Sequence, residues 1–199
     1  VDCSGSMNGD SIASARAALR GVVASLSEHD HLSLSRFGST VEHLFAPSPA
    51  KPQALRHLQP LIDGIQADLG GTEMEGALSA VFGLPSSAEH GGADVLLITD
   101  GEIWQAEEMI AAARNSGHRV FAIGVGSAPA EGVLRALAES TGGACEFATP
   151  GEALEAAAHR MLHRMRQPVF ANVRSDWGGA PAWSCGPAPI VFGGDTVLA

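Results

Sequence analysis

Apolar residues recur along the chain in two different periods, and the two periods alternate. Within residues 11–26, Ile12, Ala15 and Leu19 follow one another at three- to four-residue spacing, which predicts a helix with one buried face. Residues 93–99 form an unbroken apolar run, which is typical of a parallel strand covered on both faces. Helical and strand-like segments alternate in this way along most of the chain, and this alternation predicts an α/β fold.

The same patterns predict individual elements. We expect strands over 32–37, 41–45, 93–99, 119–125, 144–148 and 169–173, and helices over 11–26, 53–65, 74–84, 106–115, 131–140 and 152–167. The Gly38-Ser39 turn makes the first two strands an antiparallel hairpin at the edge of the sheet, and Pro47, Pro49 and Pro52 predict a loop after it. The expected fold is Rossmann-like and doubly wound, with a mostly parallel central sheet flanked by helices over residues 1–167.

Composition changes after the last predicted helix. Residues 168–199 contain short strand-like runs, turn glycines and several prolines, which predict a short β-rich tail. We interpret this tail as the start or part of a further module. On that interpretation Trp177, Trp183 and Phe192 are expected to be left exposed.

The overall charge and the cysteines limit the kinds of partner. The formal net charge is −10, which argues against binding to nucleic acid or to anionic membranes, since both attract basic surfaces. No apolar run is long enough to cross a bilayer, so this segment is not expected to insert into a membrane. Cys3, Cys145 and Cys185 are too few for a closed disulfide framework and are expected to act as small apolar residues.

The string Val1-Asp2-Cys3-Ser4-Gly5-Ser6 contains the first candidate chemistry. One carboxylate and two hydroxyls alternate along it, and the glycine allows a tight turn that directs all three side chains to one point. Such a set offers oxygen donors only. Hard cations such as Mg²⁺ prefer oxygen, whereas zinc prefers nitrogen or sulfur.

Two later stretches extend this pattern. Gly70-Gly71-Thr72 presents a hydroxyl before an apolar helix, and Thr99-Asp100-Gly101 ends a buried strand on a carboxylate. In this order, the three stretches resemble the von Willebrand factor A (integrin I-like) domain and its metal-ion-dependent adhesion site. The resemblance implies a site for Mg²⁺, or for Mn²⁺ or Ca²⁺, whose metal ligands are Asp2, Ser4, Ser6, Thr72 and Asp100.

The resemblance also implies a role for each ligand. The two serines and the threonine are expected to reach the metal directly, and the two aspartates directly or through water. A carboxylate from a protein partner then completes the coordination, so the site is expected to be a receptor and not a catalyst. From their positions just beyond Asp100, Glu102, Ile103 and Trp104 are expected to form part of the rim that contacts the partner. Glu73 and Glu75 follow Thr72 directly and could cap the next helix or add negative charge near the site, and we favour capping.

The chain departs from the family at its start. The family has an apolar first strand at the centre of the sheet, of which only Val1 is present here, so the central ladder is expected to be incomplete unless another segment fills the gap. The tail resembles the segment after the A domain in proteins related to inter-alpha-trypsin inhibitor heavy chains, in which a β-rich VIT domain precedes the A domain.

Three other functions remain open. A domains also serve as regulatory subunits beside a separate ATPase, as in metal chelatases, and this chain has no P-loop of its own. A magnesium phosphohydrolase would need a second aspartate where Ser4 stands. A purely structural A domain would hold no metal.

Two other groups of side chains could suggest a metal site. We interpret Glu28-His29-Asp30-His31 as a solvated turn, and His159 and His163 as solvent-facing residues of the last helix.

Overall fold

A computed structural model describes residues 1–85, 92–101, 106–126, 130–148, 154–171, 173 and 190–195. Helices and strands alternate as the apolar pattern predicts, so the α/β fold is confirmed. The helices are α1 (Asp10–Ala24), α2 (Pro52–Asp63), α3 (Met74–Phe82), α4 (Ala106–Ser116), α5 (Glu131–Thr141) and α6 (Leu154–Met165). The strands are β1 (His31–Phe37), β2 (Val41–Pro49), β3 (Asp94–Thr99), β4 (Arg119–Val125), β5 (Cys145–Ala148), β6 (Val169–Ala171) and β7 (Ile190–Phe192).

The start of the chain joins two groups of strands. β1 and β2 form an antiparallel hairpin, and β3, β4 and β5 are parallel and adjacent in that order. Residues 1–3 lie between β1 and β3: the Asp2 N–H donates to the Ile98 carbonyl (2.9 Å), and the Cys3 N–H donates to the Phe37 carbonyl (2.7 Å). The bridge between Asp2 and Phe37 is parallel. The strand order is therefore β2, β1, residues 1–3, β3, β4 and β5.

Residues 1–3 pair with β1 and β3 near the carboxyl ends of these strands. A cavity of about 660 Å³ lies between β1 and β3. Apolar side chains of both strands line it, including Leu34 and Leu96.

Helices cover both faces of the sheet. Side chains alternate along each strand, so Phe121 and Ile123 on β4 pack with α1, α2 and α6, whereas Val120 and Ala122 pack with α3, α4 and α5. This alternation produces two separate apolar cores, one on each face. The doubly wound arrangement follows, and it places the carboxyl ends of the parallel strands at one edge of the molecule.

The proline-rich segment after the hairpin differs from its prediction. Pro47 and Pro49 were expected in a loop, but both belong to β2, which extends to Pro49. Proline cannot donate a backbone hydrogen bond, so strands accept it mainly at sheet edges. β2 pairs only with β1 among the described strands, and its outer edge tolerates both prolines.

The tail folds back onto the domain where it is described. β6 and β7 pair antiparallel, and Phe192 is 4% exposed, with its ring centre 6.0 Å from that of Phe121. The expectation that Phe192 is exposed was therefore wrong, because the ring completes the core beside α6. Trp177, Trp183 and Cys185 lie outside the described residues, and the boundary at residue 168 stays a prediction.

Two further expectations concern cysteines and membranes. Cys3 is buried and Cys145 half-buried, and both are free thiols. Burial is the main cause that raises the pKa of the Cys3 thiol to about 11. Among the described helices, none has the length and apolar character that a bilayer crossing requires.

Candidate metal site

The loop after residues 1–3 begins the candidate site. Asp2 belongs to residues 1–3, which lie between β1 and β3. After these residues the chain makes one 3₁₀ turn (Gly5–Met7) and then enters α1. The Gly5 N–H donates to the Gly70 carbonyl (2.7 Å). This bond places the loop that contains Ser4 and Ser6 against the glycine-rich loop, Gly70-Gly71-Thr72. The two loops meet at the carboxyl edge of the sheet.

The Asp2 carboxylate lies at the bottom of the site and is fully buried. Its Oδ1 accepts from the Ser4 N–H (2.9 Å), and its Oδ2 accepts from the Thr99 hydroxyl (2.5 Å). Thr99 Oγ1 also accepts from the Gly101 N–H (3.1 Å). Thr99 thus connects the aspartate of the first loop to the turn that carries Asp100.

A chain of hydrogen bonds joins the other predicted ligands. The Ser4 and Ser6 hydroxyls are 3.0 Å apart, and the Ser6 hydroxyl donates to Asp100 Oδ1 at 2.8 Å. The second of these contacts connects residues that are 94 positions apart in sequence. The side chains of the first loop and of the β3 end therefore face the same point.

Thr72 reaches this point from the glycine-rich loop. A Cβ atom added to Gly101 would lie 3.2 Å from Thr72 Oγ1, 2.8 Å from Thr72 Cγ2 and 3.3 Å from Asp2 Oδ2. A side chain at residue 101 would crowd Thr72, and Thr72 and Asp2 both lie close to this turn. Hydrogen bonds link the side chains of Ser4, Ser6 and Asp100, Asp2 is bonded to the Ser4 N–H and to Thr99, and Thr72 lies near this group through its closeness to Gly101.

Exposure increases steadily across the five residues. Asp2 and Ser4 are buried, Thr72 and Asp100 are half-buried, and Ser6 is exposed. Among the described residues, the side of this arrangement at Asp2 is therefore closed, and the side at Ser6 and Asp100 is the more accessible. An ion held by these oxygens would be reachable by another molecule from that side.

The donor set fits a hard divalent cation. All five side chains offer oxygen, and two of them are carboxylates. Burial is the main cause that raises the pKa of the Asp100 carboxyl above its ordinary value, and the neighbouring Asp2 carboxylate raises it further, while the Ser6 hydrogen bond opposes both. Each of these two carboxylates makes ionisation of the other less favourable, and a cation between them would stabilise the ionised form of both.

The raised pKa of Asp100 predicts a gain in stability when its charge is removed. A carboxyl whose pKa is higher in the folded protein destabilises the fold once it ionises. We expect metal-free Asp100→Asn to unfold at higher urea concentration than the wild type near pH 7. The difference should shrink as the pH falls through the pKa of Asp100, because both side chains are then neutral. Equal stability at all pH values would contradict this assignment.

Other expected features of the site are placed differently or lie elsewhere. Glu102, Ile103 and Trp104 lie outside the described residues, so the expected rim stays a prediction. Glu73 occupies the residue before α3, but its side chain makes no capping hydrogen bond, contrary to expectation. The backbone of Glu73 is held by the hairpin turn instead, since its N–H donates to the Gly38 carbonyl (2.9 Å).

Alternative metal clusters receive no support in the described part of the chain. No group of three or more His, Cys, Asp or Glu side chains there could hold an ion, so the candidate site depends on its hydroxyls. His159 and His163 are exposed, as expected. Asp30, in the cluster at 28–31, instead accepts from Ser27 and Arg166.

Sequence reasoning missed the role of Thr99. The sequence shows a hydroxyl at the end of an apolar strand, but not that its oxygen reaches Asp2, 97 positions away. One available signal was the position itself: a polar side chain beside Asp100 in an otherwise apolar run needs a partner when it is buried.

Comparison with known proteins relates the chain to curated relatives. A von Willebrand factor A domain-containing protein of Dictyostelium discoideum is 27% identical over 203 residues, covering 100% of this chain and 22% of its own length. The human von Willebrand factor A domain-containing protein 5A is 30% identical over 157 residues, covering 74% of this chain and 19% of its own length. The chain thus spans about a fifth of the length of these relatives.

Solved structures and a family model agree with this relation. A von Willebrand factor type A protein from Catenulispora acidiphila has a TM-score of 0.75 at 18% identity, covering 85% of this chain and 42% of that one. A mussel byssus protein, proximal thread matrix protein 1 with a zinc-occupied MIDAS motif, has a TM-score of 0.62 at 18% identity, covering 81% and 43%. The model of the von Willebrand factor type A domain matches residues 1–147. The chain belongs to the von Willebrand factor type A domain family.

Proposed function

We propose that this domain binds a divalent cation and, through it, a carboxylate of a protein partner. Asp2, Ser4, Ser6, Thr72 and Asp100 would hold the cation, with Mg²⁺ as the expected ion and Mn²⁺ or Ca²⁺ as substitutes. The family is a protein-interaction module, and the names of the relatives indicate no enzymatic activity. The proposal adds a metal and a partner chemistry to that general role.

One observation carries the proposal: oxygen donors from three separate stretches of chain meet at one point. Ser6 Oγ lies 2.8 Å from Asp100 Oδ1 and 3.0 Å from Ser4 Oγ, and Thr72 and Asp2 both lie against Gly101. Buried carboxylates are costly unless they are paired or hold a metal, and no lysine or arginine pairs with Asp2 or Asp100 among the described ion pairs. A cation is the partner of suitable charge.

The donor set also supports an acidic ligand. Three of the five donors are neutral hydroxyls, and both oxygens of Asp2 already accept hydrogen bonds from the protein. Only Asp2 and Asp100 carry negative charge among the five donors, so the donor set would not outweigh the charge of a divalent cation, and the ion could still bind an external carboxylate. The more accessible side at Ser6 and Asp100 gives such a carboxylate access.

A related structure shows that the fold can carry a metal at this kind of motif. The mussel byssus protein has zinc in its MIDAS motif. The oxygen-only donor set of the present chain favours a harder ion than zinc. A regulatory subunit beside a separate ATPase and a purely structural domain remain as alternatives, and only the second of these would lack metal binding.

Titration of Mg²⁺ and Mn²⁺ into chelator-stripped protein tests the metal half of the proposal. We expect saturable binding at one site, and Asp100→Ala should weaken it by more than about tenfold because a ligand carboxylate is lost. Asp63→Ala is the matched control, since Asp63 is an exposed carboxylate that is paired with Arg20 and has no described contact with the five candidate ligands. Folded protein that binds neither ion would leave the structural alternative as the better description.

The same Mn²⁺-loaded protein tests the partner chemistry. A carboxylate that binds the ion displaces a bound water, so acetate should lower the water-proton relaxation caused by bound Mn²⁺. Acetamide has the same size without the charge and should have no effect. Equal responses to both molecules would refute recognition of a carboxylate while leaving metal binding intact.

A further inference from the structure

The turn between β1 and β2 lies against the loop that carries Thr72. We propose that Ser39, in this turn, is a positioning residue for the metal site: it holds the glycine-rich loop so that the Thr72 hydroxyl faces the ion. This inference rests on the proposed function, because it concerns the same site. No ligand is assigned to Ser39 itself.

Ser39 binds the loop through two hydrogen bonds of opposite direction. Its backbone N–H donates to the Leu69 carbonyl (2.6 Å), and its hydroxyl oxygen accepts from the Gly71 N–H (2.8 Å). These two bonds fix the loop to the turn at Leu69 and at Gly71. The loop can therefore neither move away from the turn nor rotate about a single contact. Of these two residues, Gly71 directly precedes Thr72.

A third bond holds the loop on the other side of Thr72. The Glu73 N–H donates to the Gly38 carbonyl (2.9 Å), also from the hairpin turn. Thr72 is therefore held between Gly71 and Glu73, each bonded to the turn. The described residues give the Gly71 N–H no acceptor besides the Ser39 hydroxyl, so removal of that hydroxyl would release the Gly71 amide beside Thr72, although the Gly70 carbonyl would still accept from the Gly5 N–H (2.7 Å).

The two glycines of the loop are explained by the same contact. A Cβ atom at Gly70 would lie 3.0 Å from Ser39 Oγ, and one at Gly71 would lie 3.3 Å from it. Gly70 also has a φ of +77°, which side chains rarely allow. The absence of both side chains lets the Ser39 hydroxyl reach the backbone of the loop.

The start of the loop has its own supports, so loss of the Ser39 hydroxyl should not unfold the protein. Arg36 forms an ion pair with Asp68 (2.9 Å), and the Leu69 N–H donates to the Cys3 carbonyl (3.0 Å). Neither contact involves the Ser39 side chain. The change should therefore be confined to residues 70–72.

Three variants test the inference in chelator-stripped protein titrated with Mn²⁺. Ser39→Ala should weaken binding by about tenfold, the lower end of the effect of residues that orient metal ligands. Ser39→Thr keeps the hydroxyl and therefore the hydrogen bond to the Gly71 N–H, so its affinity for Mn²⁺ should stay within about twofold of the wild-type affinity. Thr40→Ala is the matched control, because it removes an exposed hydroxyl from the same turn, for which the described residues show no side-chain hydrogen bond.

Two further readouts separate positioning from a general loss of stability. The Gly71 amide should exchange with solvent faster in metal-free Ser39→Ala than in wild type or Thr40→Ala. Bound Mn²⁺ in Ser39→Ala should carry one more water, seen as higher water-proton relaxation, where the Thr72 hydroxyl no longer reaches it. Unchanged affinity in Ser39→Ala alongside normal wild-type binding would overturn this inference alone. Failure of the folded wild type to bind metal would overturn both this inference and the proposed function.

Discussion

Asp2→Asn is expected to weaken Mg²⁺ binding by about 100- to 1,000-fold, the largest effect on affinity among the single changes considered. A unit charge about 4 Å from an ion contributes on the order of 4 kcal/mol at the effective dielectric of partly buried sites. Asp2 is fully buried, so water screens its charge poorly. Isothermal titration of Mg²⁺ and Mn²⁺ into the stripped variant measures the loss.

The choice of asparagine separates charge from shape. The amide side chain introduced at this position can still accept from the Ser4 N–H and bond to Thr99, so the loop should keep its fold. Asp10→Asn is the matched control, because it removes an exposed carboxylate from the first turn of α1. If both variants bound metal as the wild type does, the Asp2 carboxylate would not be a ligand.

Thr99→Val should lower the free energy of unfolding of the metal-free protein by about 3 kcal/mol. The change keeps the shape of the side chain but leaves Asp2 Oδ2 without a donor and the Gly101 N–H without an acceptor. Each buried polar group left unpaired costs about 1–3 kcal/mol. Urea unfolding gives the difference as a shift of midpoint at constant slope.

Thr99→Ser is the control for this second prediction. It retains the hydroxyl and loses only a methyl group, so it should lose about 1 kcal/mol or less. A valine variant as stable as the serine variant would show that the hydroxyl does not join Asp2 to the Asp100 turn. A valine variant less stable by the expected amount would explain why a hydroxyl ends this apolar strand.

The fold was largely predictable because its local signals agree with one another. β4 (Arg119–Val125) has the bounds that its apolar run predicts, and glycines with positive φ, Gly117 and Gly126, lie beside both ends. Errors arose where a local signal has two structural meanings. Proline predicts a loop in general, but Pro47 and Pro49 are compatible with the outer edge of β2.

The candidate site was predictable only in part. Side chains at the ends of neighbouring strands meet at one sheet edge, and this rule places Asp2 and Asp100 together. Their role as ligands stays a prediction. The contacts that orient them could not be predicted, because Thr99 reaches Asp2 across 97 positions and Ser39 reaches Gly71 across 32. No periodicity along the chain encodes such pairs.

The steady increase in exposure from Asp2 to Ser6 implies an order of events at the proposed site. An ion arriving from solvent would exchange its first waters at Ser6 and Asp100 and meet the buried Asp2 last, and departure would follow the reverse order. A partner covering the Ser6 side would block that exit and lengthen the residence time of the ion. The partner's carboxylate would itself bind the ion, so metal binding would be tighter in the complex. By thermodynamic linkage, partner binding would then be tighter in the presence of metal, and cation supply would regulate how much of the two proteins is in complex.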